Sequence, residues 1–204
     1  MSILLIRHGE TDGNRLRVVQ LPEVPLNERG RAQALRLGER LEDLGIVRIL
    51  ASDLARARMT AEPIGERAGV EVELEPLLQE RNFGDIRGHA YASFDFDPMG
   101  PDYEPPNGES WAAFHRRAAR AWERVVAARR EAAGPLAVVT HGLVCRAFSE
   151  HHLRLEAPLA APERWGNTSL TEIEADLPWR VLRLNCTAHL DAGTADDASL
   201  VSGL

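Results

Sequence analysis

The sequence predicts an α/β fold, a three-layer sandwich whose mostly parallel central sheet is flanked by helices and carries a small lid. Three observations predict it. Strand-like and helix-like runs alternate along the 204 residues. Three strand-like runs lead straight into polar residues: Ile6 into Arg7-His8, Leu50 through Ala51 into Ser52-Asp53, and Val139 into Thr140-His141. Ligands of open parallel sheets gather beyond such carboxyl ends. Two of the ends also share one pattern, since LLIRHGE and AVVTHGL both run from apolar strand to polar residue to His-Gly to helix.

The elements follow in order. Residues 3–7 form the first apolar strand. Asn27 is a good N-cap for a helix over 28–44, which carries Leu35, Leu37, Leu41 and Leu44 and stops at Gly45. Residues 47–52 read as a strand, 56–68 as a helix stopped by Gly69, and 70–75 as another strand. Residues 88–110 read as a long loop or small lid, with Tyr91, Phe94, Phe96, Met99 and Tyr103 among Pro and Gly and no Lys or Arg. Ser110 caps a helix over 111–133, where Phe114, Trp122, Val125 and Val126 recur at helical spacing before Gly134-Pro135 ends it. A strand over 136–140, a helix over 143–155, and strands over 169–173 and 180–184 complete the pattern. The expected organisation is one domain over 1–190, with the lid or insert over about 88–135, and a polar, acidic tail over 191–204.

Composition narrows the function. A hydrophobic content of 44% fits a globular chain. No apolar run reaches the roughly 18 residues that span a bilayer, and residues 3–6 are too few for a signal peptide, so a cytoplasmic enzyme with no membrane partner is expected. The net charge of −7 argues against nucleic acid as partner. Cys145 and Cys186 give neither a disulfide framework nor a metal spacing, and the adjacent His151-His152 cannot easily face one ion, so no metal and no cofactor is expected. Oligomeric state is not legible. All 24 basic residues are arginine. Walker loops, kinase ATP sites and Schiff-base chemistry, which need a lysine, are thereby excluded. Any phosphate must be held by Arg, His or backbone N–H groups.

Glycine after each strand-end histidine allows close backbone approach, and a helix starting beyond it can aim N–H groups at an anion. One such histidine is as often a buried, satisfied residue as a functional one. Two at matching strand ends point to a site.

Arg7-His8-Gly9-Glu10-Thr11 followed by Asn14 resembles the signature of the histidine phosphatase superfamily, the phosphoglycerate-mutase-like enzymes. The resemblance continues through Pro25-Leu26, Ser52-Asp53-Leu54-Ala55-Arg56-Ala57, Glu80 in LLQERNFGDIRG, Gly108-Glu109-Ser110, Thr140-His141-Gly142 and Asn167-Thr168-Ser169. It implies that His8 is the nucleophile and is transiently phosphorylated. It implies further that Arg7, Arg56 and His141 bind the transferring phosphoryl group and that Glu80 protonates the leaving oxygen. Asn14 would help position the phosphate, with Gln20, Gly142 and Arg81 as further substrate contacts. Gln20 departs from the pattern in being followed by Leu21 instead of glycine. The alternatives at these positions are a helix cap at Asn14, a surface ion pair at Arg7 or at Glu80-Arg81, and Arg58 in place of Arg56. An ionised Glu is no acid, so burial must raise the Glu80 pKa above its ordinary value of about 4.3.

Mutases of this family resemble one another in a Trp before the Asn of the opening motif, a Glu-Arg-x-Tyr-Gly stretch and arginines after it. Here Gly13 precedes Asn14, the stretch is Glu80-Arg81-Asn82-Phe83-Gly84, and 88–110 is acidic. The reading is therefore a phosphomonoester hydrolase acting on a small phosphorylated metabolite, with phosphoglycerate mutase as the alternative and a non-catalytic phosphate-binding protein as a remote one. The lid aromatics point weakly to a ring-bearing or partly apolar leaving group. Gly108-Glu109-Ser110-Trp111-Ala112 misses the Gly-x-Ser-x-Gly elbow of serine esterases by its last residue.

Overall fold

In the computed structural model, which describes residues 2–190, the chain forms one mixed sheet of six strands between two layers of helices. The tail over 191–204 lies outside the described residues. In chain order the elements are β1 (Ser2–Arg7), α1 (Asp12–Leu16), α2 (Glu28–Leu41), β2 (Arg48–Ala51), α3 (Ala55–Ala68), β3 (Val72–Leu74), α4 (Trp111–Glu131), β4 (Leu136–Thr140), α5 (Gly142–His151), β5 (Leu170–Glu174) and β6 (Val181–Cys186).

The order across the sheet is β3-β2-β4-β1-β5-β6. The strands β3, β2, β4 and β1 pair in parallel, whereas β5 is antiparallel to both β1 and β6. Only β5 therefore runs against the rest. Strand alternation divides the core. Ile3 and Leu5 point into one cluster with Leu136, Val138, Phe114, Trp122 and Phe148 from α4 and α5. Leu4 and Ile6 point into the other with Val139, Leu37, Leu41 and Ile64 from α2 and α3. The helix α4 is thus one wall of the core, and the part of the expected lid that stands apart from the helical layers is 88–110.

The punctuation residues act as their chemistry dictates. Asn27 Oδ1 accepts from Gly30 N at 2.8 Å, and Ser110 Oγ from Ala113 N at 3.1 Å, caps worth about 1 kcal/mol each. Gly45 and Gly69 take positive φ at the stops. The last turn before Gly45 tightens to a 3-10 helix, Glu42–Leu44. The helix expected over 143–155 ends at His151. The short α1 carries no buried face and so has no apolar periodicity to betray it. Among the described residues, no helix is long and apolar enough to cross a membrane.

The strand order reverses between β1 and β4. From β1 the chain crosses by α2 to β2, beyond β4; from β4 it crosses by α5 to β5, beyond β1. The connections diverge and leave a crevice at the carboxyl ends of these two central strands. Arg7-His8 and Thr140-His141 stand on its two sides.

Candidate active site

The β1 ladder ends with Arg7 opposite Thr140, and His8 N continues it by donating to Thr140 O at 2.9 Å. Beyond that point the chain turns under α2. Gly9 N donates to Thr60 Oγ1 at 2.9 Å and Glu10 N to Gln33 Oε1 at 2.8 Å. A Cβ on Gly9 would meet the Gly30 carbonyl oxygen at 2.7 Å, so glycine is required where this turn packs on the start of α2. Glu10 accepts from Asn27 Nδ2 at 2.8 Å and thereby ties the turn to the α2 cap.

The His8 ring is buried, and its Nδ1 lies 2.7 Å from the Gly9 carbonyl oxygen. A carbonyl only accepts, so Nδ1 carries the proton and Nε2 keeps its lone pair. Burial, aided by the charges of Arg56 and Arg7, holds the His8 pKa well below its ordinary value, against the opposing pull of the Gly9 carbonyl. The ring is neutral. The His8 carbonyl oxygen is held by Asn167 Nδ2 at 3.0 Å and Thr168 N at 3.3 Å, and Arg7 Nη1 donates to the Trp165 carbonyl.

His141 is fully buried at the N-cap of α5, its ring centroid 5.1 Å from that of His8. Its Nε2 is 2.8 Å from Ser52 Oγ at the end of β2, and its Nδ1 is buried without a partner. Burial, then the charge of Arg56, keeps this ring neutral too.

Arg56 enters from the first turn of α3. Its Nη1 donates to the Leu21 carbonyl at 3.2 Å, and its Nε is buried without a partner. Burial lowers its pKa to about 10, with Glu80 opposing and the charges of Arg87 and Arg7 reinforcing the fall. Arg58 is half exposed and reaches Glu62 at 3.6 Å. Arg56 is therefore the arginine that faces the crevice.

Glu80 sits on the extended segment after the 3-10 turn Pro76–Leu78. Its Oε2 accepts from Leu143 N at 3.2 Å in the first turn of α5, and its Oε1 from Arg81 N at 3.0 Å. Burial raises its pKa despite those two backbone donors and the charges of Arg56 and Arg7. The required direction is met by burial alone.

Arg7, His8, Asn14, Gln20, Arg56, Glu80 and Arg81 line one cleft. His141, whose ring stands beside that of His8, and Gly142, the first residue of α5, are not among the residues that line it. Asn14 also belongs to a capping box with Thr11, so cap and cleft position coexist. Gln20 accepts from Thr11 Oγ1 at 2.8 Å. A Cβ at Gly13 would stand 2.4 Å from Gln20 Cγ, so the absence of a side chain before Asn14 admits Gln20 to the cleft. Arg81 is 1% exposed; its Nη2 and Nε hold the carbonyls of Tyr103 at 2.6 Å and Glu109 at 3.0 Å, and its guanidinium lies 3.9 Å from the Trp111 ring. It anchors the lid from beneath while lining the cleft.

Two features correct the sequence reading. The lid aromatics pack on each other, Phe94 on Phe96 at 5.1 Å and Phe96 on Tyr103 at 4.7 Å, and only Tyr91 of that set lines the cleft. They form the lid's own small core. Nor does the acidity of 88–110 reach the substrate side: no carboxylate of that segment lines the cleft, while Arg87, just before it in the chain, and Arg17, from the loop after α1, both do. The sequence reading had Ser52 only as a polar strand end with no role, and it missed Leu143 and Arg117. Arg117 donates to the carbonyls of Leu77 at 2.9 Å, Gln79 at 2.7 Å and Glu80 at 3.1 Å, and pairs with Glu109 at 2.7 Å. Among the described residues, no group of three or more His, Cys, Asp or Glu is placed to hold a metal ion.

The model of the histidine phosphatase superfamily (branch 1) matches residues 3–187. The chain is 31% identical over 190 residues to a probable phosphoglycerate mutase GpmB of Erwinia tasmaniensis, covering 88% of this chain and 87% of that protein. A mycobacterial glucosyl-3-phosphoglycerate phosphatase, solved with VO3, superposes with a TM-score of 0.76 at 29% identity, covering 90% of this chain and 98% of the other. A phosphoglycerate mutase from Thermus thermophilus superposes with a TM-score of 0.65 at 33% identity, covering 90% and 97%.

Proposed function

We propose, from the premise that the chain belongs to the histidine phosphatase superfamily (branch 1), that it hydrolyses the phosphomonoester of a small metabolite through a phosphohistidine on His8. One observation carries this reading: a neutral imidazole with a free Nε2 and a carboxyl of raised pKa face the same arginine-lined cleft.

In the first step His8 Nε2 attacks phosphorus and the ester P–O bond breaks. Glu80 gives its proton to the departing oxygen, so the alcohol leaves neutral. The phosphoryl group in flight spreads charge over its equatorial oxygens. Arg7 and Arg56, held by the Trp165 and Leu21 carbonyls, supply fixed donors to them. The unpartnered His141 Nδ1 is a further group that a phosphoryl oxygen would satisfy. In the second step Glu80, now ionised, takes a proton from water. That water attacks phosphorus, the P–N bond breaks, and inorganic phosphate leaves with the original protonation restored.

Phosphoglycerate mutase is the second reading, favoured by the extra arginines at the cleft and by the names of the relatives. Gly13 and Phe83, where the mutase pattern has Trp and Tyr, favour hydrolysis. The test is incubation with p-nitrophenyl phosphate and with 3-phosphoglycerate, followed by alkaline quench. Hydrolysis predicts inorganic phosphate as product and acid-labile phosphate on the protein, both lost in His8→Ala. Conversion of 3-phosphoglycerate to 2-phosphoglycerate faster than phosphate release would overturn the hydrolase reading in favour of the mutase. Turnover by His8→Ala at the wild-type rate would overturn both.

A further inference from the structure

We propose that Ser52 is a positioning residue for phosphoryl transfer: its hydroxyl donates to His141 Nε2, holds the His141 proton on Nδ1, and so makes that nitrogen a donor to the phosphoryl group. This rests on the reading of His8 as the nucleophile and names what orients the second histidine.

The hydrogen-bond inventory of Ser52 carries it. Ser52 is 0% exposed, and among the described residues its Oγ reaches two groups, His141 Nε2 at 2.8 Å and Leu54 N at 3.3 Å. Leu54 N can only donate, so Oγ accepts there. The hydroxyl proton is then left with one acceptor among the described residues, His141 Nε2. An imidazole nitrogen accepts only through a bare lone pair, so on the neutral ring the proton sits on Nδ1. In the opposite tautomer Ser52 Oγ would accept twice. Its own proton would be buried with no acceptor, which costs free energy.

That tautomer also accounts for the far side of the ring. His141 Nδ1 is buried with no partner among the described residues. As an N–H it suits a phosphoryl oxygen, whereas a bare lone pair there would repel one. The ring stands beside that of His8, centroids 5.1 Å apart and planes tilted by 58°, so a group carried by His8 comes next to it. The two histidines thus share one tautomer for opposite ends. His8 Nδ1 donates to a carbonyl and frees Nε2 to attack. His141 Nε2 accepts from a hydroxyl and leaves Nδ1–H to bind charge.

The mount is rigid. Ala51 lies opposite Val139 in the β2–β4 register, and Ser52 N extends the ladder by donating to Val139 O at 2.9 Å. Cys145 N donates to His141 O at 3.0 Å and fixes His141 at the start of α5. Both side chains therefore leave neighbouring strand ends. Leu54, the N-cap of α3, has no capping side chain of its own. The Ser52–Leu54 bond closes that turn two residues before Arg56. One turn serves both Arg56 and His141.

Nitrogen nuclear magnetic resonance of the chain with isotope-labelled histidine reads the tautomer without turnover, His141 being assigned by its loss in His141→Ala. A protonated Nδ1 and a bare Nε2 are expected, and a protonated Nε2 overturns the proposal. Ser52→Ala should mix the tautomers and lower kcat on p-nitrophenyl phosphate by about tenfold, less than the roughly 10²–10³ of removing an oxyanion donor outright. Ser52→Thr, which keeps the hydroxyl, should restore most of both. An unchanged kcat in Ser52→Ala overturns the proposal. In the His141→Ala background Ser52→Ala should change kcat by less than about twofold. An equal loss in both backgrounds would mean that Ser52 acts through the α3 turn alone, and overturns the proposal too. Should the Ser52 variants fail to fold, the spectrum of the unaltered chain still decides. Failure of the nucleophile reading would show separately, as turnover by His8→Ala at the wild-type rate.

Discussion

The Nδ1 of His8 donates to the carbonyl oxygen of its own neighbour, Gly9, at 2.7 Å. That bond fixes the tautomer and leaves Nε2 as the nucleophile. The phosphoryl group is therefore expected on Nε2. Nuclear magnetic resonance of alkaline-quenched enzyme should show the Nε2-phosphohistidine isomer. The Nδ1 isomer would show that the ring turns over before attack. Gly9→Ala should cost about 1–3 kcal/mol of stability, because its methyl meets the Gly30 carbonyl and backbone must shift.

Glu80 is an acid only while protonated, and its pKa is raised by burial. Activity on esters of poorly acidic alcohols should therefore fall as pH rises through that raised pKa, giving an alkaline limb that lies above 4.5. Glu80→Gln should abolish the limb and slow alkyl phosphates by about 10²–10⁴. The loss on p-nitrophenyl phosphate should be much smaller, because that leaving group needs little help. Equal losses on both substrates would remove the acid role from Glu80.

Arg117 ties together Leu77, Gln79 and Glu80 through their carbonyls and closes on Glu109, so it is a positioning residue for the acid. Arg117→Met leaves those carbonyls and the Glu109 carboxylate without a donor. The pair is mostly but not fully buried. The expected stability loss is about 2–3 kcal/mol, below the roughly 3–5 kcal/mol of a fully buried pair. Activity should drop on alkyl phosphates far more than on p-nitrophenyl phosphate, with KM little changed. Arg117→Lys should recover part of it. A uniform loss on both substrates would mean that Arg117 acts through stability alone.

How much of this was legible depended on the range of each signal. The continuous apolar run of β1 and the His-Gly turns are local signals, and the structure has Arg7-His8 and Thr140-His141 at the ends of neighbouring strands, where those signals put them. Caps and glycine stops gave α2, α3 and α4 within a few residues. The reversal of β5 leaves no local trace, because a buried strand reads the same in either direction. Arg117 looked like one more charge on a helix. Its role depends on three carbonyls about 40 residues upstream, which no spacing announces. The lid misled for a related reason: a count of acidic residues says nothing about which way they face. Gly13 was noted as a missing Trp, whereas its structural effect is to admit Gln20.

Burial of neutral histidines makes stability depend on pH, and the direction follows from proton counting. An unfolded histidine titrates near pH 6.5. In the folded chain His8 and His141 lie well below that value, and His189 lies at about 4, lowered first by burial and then by Arg40. Between these values the unfolded state binds more protons, so stability is full above pH 6.5 and is lost as pH falls toward the folded values. Glu80 works in the opposite sense, since its folded pKa is raised and its contribution shrinks as pH rises through it. A comparison between variants separates the two. His189 accepts or donates at Thr168 Oγ1, 3.0 Å away, on the loop that holds the His8 carbonyl, and it meets no phosphate-binding group. His189→Asn should lose less stability than the parent chain between pH 7 and 5, read as the shift in Tm by calorimetry. Parallel curves for the two proteins would mean that His189 is not held neutral in the fold.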